Sequence, residues 1–241
     1  KCIRYRLKAA ADARAASLAV EGDAFGLTAQ SLAVGGQQIS VQGLAGTYDE
    51  LYLPLYGAHQ GHNAALAIAA VESLIGGAEQ PLATDVVADG LAQVTSPGRL
   101  QLVGVAPTVL VDSAHNPHGA RALVSALEDS FDFDEWGIVL GAFGDKDIAG
   151  IVSTVVPAAA HVFATAPDSD RAADPDALAD LVEAAGAHVT VHRDLAEAAE
   201  AAREWAAASD RRAVVIAGSV VLAGEALQLA AEEDWKDGWQ A

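Results

Sequence analysis

The chain has 241 residues, 52% of them hydrophobic, and 33 acidic against 14 basic residues give a formal net charge of −19. This acidity disfavours nucleic-acid binding, which needs a basic face for phosphate contacts. The single cysteine, Cys2, excludes an internal disulfide, and no apolar run reaches the length of about 18 residues that a membrane span needs. We therefore expect a cytoplasmic protein without nucleic-acid or membrane partners.

The first part of the chain is predicted to be β-rich and then helical. Residues 1–56 contain stretches with alternating apolar positions, separated by glycine-containing turns, as in a meander. The period changes at Gly61, an alanine-rich helix is predicted at 62–77 with Asn63 in its first turn, and a second helix covers about 83–93. The Pro-Gly break in "TSPGR" then sets our domain boundary, with one domain at 1–96 and the other at 97–241.

The second part alternates apolar strands with helices. Strands are predicted at 108–112, 137–142, 160–165, 187–192 and 213–217. Helices are predicted at 117–130, 147–156, 174–185, 195–208 and 220–233. This alternation is typical of a mostly parallel sheet covered on both faces, so we predict a Rossmann-like α/β domain. The acidic segment 232–241 is predicted to be a frayed end or the start of a linker.

The stretch "VLVDSAHNPHGARAL" carries the densest set of polar groups. Asp112 ends the first strand of the second domain, Asn116 suits a helix N-cap and Pro117 the first helical position. Open α/β sheets bind ligands at the carboxyl ends of their strands, where the N-terminus of the following helix favours a phosphate. His115 and His118 have a spacing that could bind zinc but have no third ligand, and capping with surface histidines explains them equally well.

Four further stretches carry candidate site residues. Arg99 follows the Pro-Gly break, where it is either a phosphate ligand or an ordinary surface arginine. Asn63 lies near a helix start, where its amide could read a heterocycle. Lys146, between two aspartates, could meet a phosphate, while Asp147 could cap a helix. Ser219 loosely resembles a nucleophile elbow, so a hydrolase built on Ser219, His115 and Asp112 is a third alternative.

The order of these motifs is more specific than any one of them. The chain reads H-Q-x-x-N, P-G-R, D-x-A-H-N-P, G-x-x-x-D-K-D and G-S-x-x-x-A-G-E in succession. In this order it closely resembles the folylpolyglutamate synthase/dihydrofolate synthase branch of the Mur ligase superfamily, over nearly its whole length. The resemblance implies a Rossmann-like C-terminal domain at 97–241, preceded at 1–96 by the tail end of the central ATPase domain.

The resemblance also implies an activity. Enzymes of this branch use ATP and Mg²⁺ to activate a carboxylate of a pteroate or folate as an acyl phosphate, which the amino group of L-glutamate then attacks. We therefore expect ATP, L-glutamate and folate or dihydropteroate as partners, and a monomer. Whether the acceptor is dihydropteroate or a folate stays open.

Site residues carry over from the family position by position. The resemblance implies that Asn63 lies near the adenine, that Arg99 faces the phosphates and that Asp112 meets the nucleotide. His115 is the implied catalytic residue. The remaining nucleotide-site positions, in the same cleft, are Asn116, Lys146 and Ser219. No metal ligand is assigned, because the family takes its magnesium ligands from its N-terminal portion.

One departure from the family is plain. The 241 residues contain no P-loop motif G-x-x-x-x-G-K-[ST] and no methionine. We therefore expect this chain to be the C-terminal part of such a ligase, beginning inside the central domain. The alternative is a non-catalytic nucleotide-binding module that has lost the P-loop domain.

Overall fold

A computed structural model describes residues 2–236, with side chains from Arg6 onward. The chain divides into two compact units. The first comprises the residues up to Pro54 together with Ala58–Val94, and the second comprises Leu55–Gly57 and the residues from Thr95 on. Within the described range, no helix is long and apolar enough to cross a membrane.

The first unit is a three-stranded antiparallel meander with three helices. Its elements are α1 (Cys2–Asp12), β1 (Gly26–Ala33), β2 (Gly36–Gln42), β3 (Thr47–Leu53), α2 (Ala58–Gly76) and α3 (Thr84–Ala92). The strands pair in the order β1-β2-β3, as the alternating apolar pattern predicts. Alternate residues of β2, such as Ile39 and Val41, are buried, and so is Ile68 of α2.

Two predictions for the first unit were wrong in detail. Residues 2–12 form a helix rather than part of a β-rich segment, because leucine, lysine, arginine and alanine there are strong helix formers. Helix α2 begins at Ala58, four residues before the predicted start at His62, so Asn63 lies in its second turn and not in the predicted first turn.

The second unit contains a six-stranded sheet. Its elements are β4 (Gln101–Val105), β5 (Thr108–Val111), α4 (Pro117–Ser130), β6 (Glu135–Leu140), α5 (Ile148–Val155), β7 (His161–Ala164), α6 (Pro175–Ala184), β8 (Val189–Val191), α7 (Leu195–Ala207), β9 (Arg212–Ala217) and α8 (Val220–Glu232). The strand order is β4-β5-β9-β6-β7-β8, and every pair is parallel except β4–β5. The predicted mostly parallel α/β sheet is confirmed.

Both faces of this sheet are buried, which explains the continuous apolar strands. On β9, Ala213 and Val215 belong to the core that α4, α5 and α6 complete. Val214 and Ile216 belong to the core that α7 and α8 complete. All four side chains are fully buried. The sheet is therefore a rigid support for the loops that leave its carboxyl ends.

Two features of the second unit were not predicted. Strand β4 was missed because it is short, lies at the sheet edge and contains Gly104, which weakens any strand signal. The frayed-end prediction was wrong for 232–236, since Trp235 is buried and the Arg203 guanidinium lies 4.7 Å from its ring centroid. The rest of that segment, 237–241, lies outside the described residues.

Candidate functional site

The loops after β5, β9 and β6 are joined by backbone hydrogen bonds. The N–H of Asp112 donates to Ile216 O at 2.9 Å, and the N–H of Gly218 donates to Ala114 O at 2.9 Å. The N–H of Gly141 donates to Ala217 O at 3.3 Å. These bonds hold the three loops together at one edge of the sheet, the edge formed by the carboxyl ends of its parallel strands. The three loops carry most of the predicted site residues.

Gly218 makes this close approach possible. Its φ of +115° is one that L side chains rarely adopt, and a Cβ built there would lie 2.6 Å from Gly141 O. The glycine of the G-S motif is therefore required by the packing of two loops.

Asp112 holds the loop that follows β5. Its Oδ2 accepts the N–H of Leu100 at 2.9 Å, and its Oδ1 accepts the N–H of Ala114 at 2.8 Å. Ser113 also donates its N–H to Gly98 O at 2.7 Å. The P-G-R turn is thereby fixed beside the D-S-A-H loop, and the exposed Arg99 extends from that turn.

His115 is half-buried, and its Nδ1 lies 2.9 Å from Ser113 O. A carbonyl oxygen only accepts hydrogen bonds, so Nδ1 carries the hydrogen. In the neutral ring the lone pair is then on Nε2, which can accept a proton. The backbone thus selects the tautomer that a general base needs.

Three helices begin at this edge, each with a capped N-terminus. Asn116 Oδ1 accepts the N–H of Gly119 at 2.9 Å for α4, as the N-cap prediction required. Ser219 Oγ accepts the N–H of Val221 at 3.1 Å for α8, and Asp147 caps α5. The helix N-termini favour an anion at this edge. Ser219 is buried, which disfavours the serine-hydrolase alternative.

Lys146 lies in the loop between β6 and α5. Its Nζ is 3.5 Å from Asp145 Oδ2, and Arg171 Nη2 is 2.9 Å from Asp145 Oδ1. The hydrogen bond from Arg171, above all, holds the pKa of Asp145 below its usual value. Helix α5, which follows Lys146, packs closely against the H-N-P motif. A Cβ built on Gly150 would lie only 2.6 Å from Pro117 Cγ.

Six of the seven predicted site residues thus belong to one edge of the second unit: Arg99, Asp112, His115, Asn116, Lys146 and Ser219. The seventh, Asn63, belongs to the first unit. It is exposed, and its Nδ2 donates to Gln60 Oε1 at 3.1 Å.

Two residues near this edge were not singled out by the sequence. Arg171 lies in the loop after β7, where no motif marks it. Glu225 ends the A-G-E motif, but the pattern did not indicate its partner, the N–H of Asp168 at 3.0 Å. Burial raises the pKa of Glu225, with a smaller contribution from the charge of Asp168.

A matched family model settles which fold family this edge belongs to. The model described as "Mur ligase, glutamate ligase domain" matches residues 98–220, about half of the chain. The chain belongs to the Mur ligase family. The matched range runs from the P-G-R turn to the start of α8 and so includes the six site residues of the second unit.

Two curated relatives are similar to this chain over most of its length. The chain is 44% identical over 231 residues to the dihydrofolate synthase/folylpolyglutamate synthase of Mycobacterium tuberculosis, covering 89% of this chain and 47% of that protein. It is 39% identical over 175 residues to a probable bifunctional folylpolyglutamate synthase/dihydropteroate synthase of Halobacterium salinarum, covering 72% of this chain and 20% of that one.

A solved structure agrees with the sequence relatives. The structure of M. tuberculosis folylpolyglutamate synthase complexed with ADP superposes with a TM-score of 0.88 at 41% identity. That match covers 93% of this chain and 51% of the other. The chain therefore spans about half the length, or less, of the curated relatives it matches.

Proposed function

We propose that this chain serves in the ATP-dependent ligation of L-glutamate to a carboxylate of dihydropteroate or a folate, through an acyl phosphate. The observation that carries the proposal is the 44% identity, over 89% of the chain, to a dihydrofolate synthase/folylpolyglutamate synthase. The ordered motifs from Asn63 to Ser219 support it. We assign residues 97–241 to the glutamate ligase domain and 1–96 to the end of the central ATPase domain.

In this proposal His115 is the catalytic residue. Formation of the amide requires attack by the glutamate nitrogen on the carbonyl carbon of the acyl phosphate, departure of phosphate and loss of a proton from nitrogen. The neutral His115 ring can take that proton at Nε2, because Nδ1 is hydrogen-bonded to Ser113 O. A hydrogen-bonded ring also keeps a fixed orientation.

The anionic partners would be bound by groups at the same edge. Lys146 and Arg99 supply positive charge, and the N-termini of α4, α5 and α8 supply backbone N–H groups with favourable dipoles. These groups suit the phosphates of ATP and the carboxylates of glutamate. Asn116 and Ser219 cap two of these helices, so we propose that they keep the anion site in shape. Asp112 holds Arg99 close by, and Asn63 is the proposed adenine contact.

Within the part of the chain that the structure describes, no group of three or more His, Cys, Asp or Glu side chains could hold a metal ion. Mg²⁺ bound to ATP would supply charge neutralisation at the phosphates.

The test uses the product of the complete open reading frame that encodes this chain. ATP-dependent incorporation of L-glutamate is measured with dihydropteroate and with a folate monoglutamate as acceptors. We expect ligation with at least one acceptor, and a loss of kcat of about 100-fold in His115→Ala, the usual contribution of a general base. His118→Ala, an exposed histidine three residues away, is the matched control and should keep its activity.

The opposite outcome is equally specific. Binding of ADP without ligation of either acceptor would support the non-catalytic nucleotide-binding module instead. Full activity in His115→Ala would remove His115 from the mechanism while leaving the ligase assignment intact. The monomeric state and the cytoplasmic location stay predictions.

A further inference from the structure

The loop that carries Lys146 is held by a second loop. We call residues 141–147 the lysine loop and residues 166–173 the brace loop. The N–H of Ala173 donates to Ala142 O at 2.9 Å, and the N–H of Gly144 donates to Arg171 O at 2.9 Å. The brace loop therefore pairs with the lysine loop along its backbone. The lysine loop follows β6, two strands away from β5, which precedes the proposed catalytic His115.

Arg171 adds side-chain contacts to this pairing. Its guanidinium carbon lies 4.7 Å from the ring centroid of Phe143, and its Nη2 donates to Asp145 Oδ1 at 2.9 Å. The other oxygen of Asp145 lies 3.5 Å from Lys146 Nζ. Asp145 is thus shared between two cations, and Arg171 has the shorter contact. Because the guanidinium is planar and stacks on a ring, it holds a carboxylate in a more defined geometry than an ammonium does.

Glu225 fixes the other end of the brace loop. Its Oε1 accepts the N–H of Asp168 at 3.0 Å. Glu225 lies on α8, whose N-terminus at Ser219 is part of the proposed site. A path of contacts therefore runs from α8 through Asp168 and Arg171 to Asp145 and Lys146.

We propose that Arg171 is a positioning residue for Lys146, and that Glu225 supports it by anchoring the brace loop. Arg171 has the shorter contact to Asp145 and so weakens the hold of that carboxylate on the Lys146 ammonium, which can then turn to an anionic substrate. This role rests on the proposed function, since it assumes that Lys146 binds ATP or L-glutamate. The anchoring itself is a property of the fold and can be tested separately.

The first experiment measures amide hydrogen exchange in the 241-residue chain. Arg171→Ala should speed exchange at Gly144 by about tenfold, because the brace loop loses its side-chain contacts to the lysine loop. Glu225→Ala should speed exchange at Asp168 and at Gly144. The control is Arg211→Ala, which removes ion pairs to Asp132 and Asp134. These residues precede β6 and β9 and so lie at the amino ends of the strands, away from both loops. Unchanged exchange at Gly144 in both test variants would overturn the anchoring.

The second experiment measures kinetics in the complete ligase. Arg171→Ala should raise KM for ATP or for L-glutamate by about fivefold, with kcat within about twofold. Without Arg171, Asp145 holds Lys146 more strongly, so the contact between Lys146 and the bound substrate is weakened in the ground state and in the transition state alike. The decisive variant is Arg171→Ala combined with Asp145→Asn. Removing the Asp145 charge frees Lys146 again, so the double variant should return KM to near the wild-type value.

A purely structural role for Arg171 predicts a different pattern. It would lower kcat and the folded fraction together, and Asp145→Asn would not restore KM. That result would overturn the proposal. If the wild-type protein ligates no acceptor, the proposed function fails, while the exchange experiment still decides whether Arg171 and Glu225 anchor the lysine loop.

Discussion

The carboxylate of Asp112 accepts the backbone N–H of Leu100 at 2.9 Å, and so joins the P-G-R turn to the loop that carries His115. Leu100 has a φ of +47°, in the left-handed region that a leucine adopts only at a cost. The bond to Asp112 stabilises that conformation, and Arg99 extends from the same turn. Asp112 is therefore a structural residue of this edge as well as a proposed nucleotide contact.

This relationship separates the effects of two substitutions. Asp112→Ala removes the acceptor of two backbone N–H groups, so we expect the free energy of unfolding to fall by about 2–4 kcal/mol. Arg99→Ala changes an exposed side chain, so stability should stay within about 0.5 kcal/mol. Urea unfolding followed by tryptophan fluorescence measures both, because Trp136 and Trp205 lie in the second unit.

Nucleotide binding distinguishes the same two variants further. In the complete ligase, Arg99→Ala should weaken ADP binding by about tenfold, the scale of one charge-assisted contact. Calorimetric titration with ADP checks this. Equal losses of stability in Asp112→Ala and Arg99→Ala would contradict the structural role of Asp112, and unchanged ADP affinity in Arg99→Ala would contradict the role of Arg99.

Local signals explain why this part of the site could be predicted. An apolar strand that ends in Asp112, with Asn116 and Pro117 after it, is a strand–turn–helix pattern within nine residues. The bond from Leu100 to Asp112 could not be predicted, because it crosses the β4–β5 hairpin and β4 has no clear strand pattern. The contact from Arg171 to Asp145 joins loops after two different strands, and short sequence patterns carry no information on such pairs.

Gly218 is a second position where the fold constrains the motif. Gly218→Ala places a Cβ 2.6 Å from Gly141 O and keeps an unfavourable φ of +115°. We expect the free energy of unfolding to fall by about 3 kcal/mol from the steric overlap and the backbone strain together. Urea unfolding followed by tryptophan fluorescence is again the measurement.

Gly224→Ala is the matched control for that substitution. Gly224 lies inside α8, and a Cβ there would have no neighbouring atom within 4 Å. Alanine is the better helix former, so stability should rise by about 0.5 kcal/mol. A similar loss of stability at Gly218 and Gly224 would show that the close approach to Gly141 is not what requires the glycine.

In the first unit, the buried carboxylate of Glu72 holds the turn between β2 and β3. It accepts the N–H groups of Ala45 at 3.3 Å and Gly46 at 3.0 Å, that of Leu44 at a shorter distance, and the hydroxyl of Tyr48 at 2.7 Å. Tyr48 Oη in turn accepts the N–H of Leu82 at 2.8 Å. Glu72 lies in a helix predicted for its apolar residues, and nothing in the sequence indicates these partners.

Glu72→Ala should therefore destabilise the first unit by about 3 kcal/mol, because it leaves three part-buried N–H groups and the buried hydroxyl of Tyr48 without this acceptor. Glu72→Gln should cost less, since its amide oxygen still accepts while its NH₂ group faces other donors. Hydrogen exchange at Ala45 and Gly46 is the suitable readout, because the tryptophans that the structure describes, Trp136, Trp205 and Trp235, lie in the second unit. Glu79→Gln, at an exposed position, should leave that exchange unchanged.

His161 gives the second unit a pH-dependent contribution to stability. Burial lowers its pKa below the usual 6.5, and the charges of His188 and His192 lower it further. The centroids of the His161 and Phe163 rings are 4.4 Å apart. The Nε2 of His161 lies 3.2 Å from Thr190 Oγ1, and that hydroxyl oxygen lies 3.0 Å from His192 Nε2. The folded state therefore binds a proton at His161 less readily than the unfolded chain does.

The sign of the effect follows from that difference. Above the unfolded pKa both states are neutral at His161 and the folded state has its full stability. As the pH falls below about 6.5, the unfolded chain takes up the proton first, so stability decreases until the folded pKa is reached. Guanidinium unfolding at about pH 7.5 and about pH 5.5 should show a fall in stability that is smaller in His161→Phe, which keeps an aromatic ring and cannot titrate.

The comparison between variants is what isolates His161, because the many carboxylates of this acidic chain titrate in the same experiment. If His161→Phe and the wild type lose the same stability between the two pH values, then His161 is as readily protonated in the folded state as in the unfolded one. Its burial against Phe163 would then have no consequence for stability in acid.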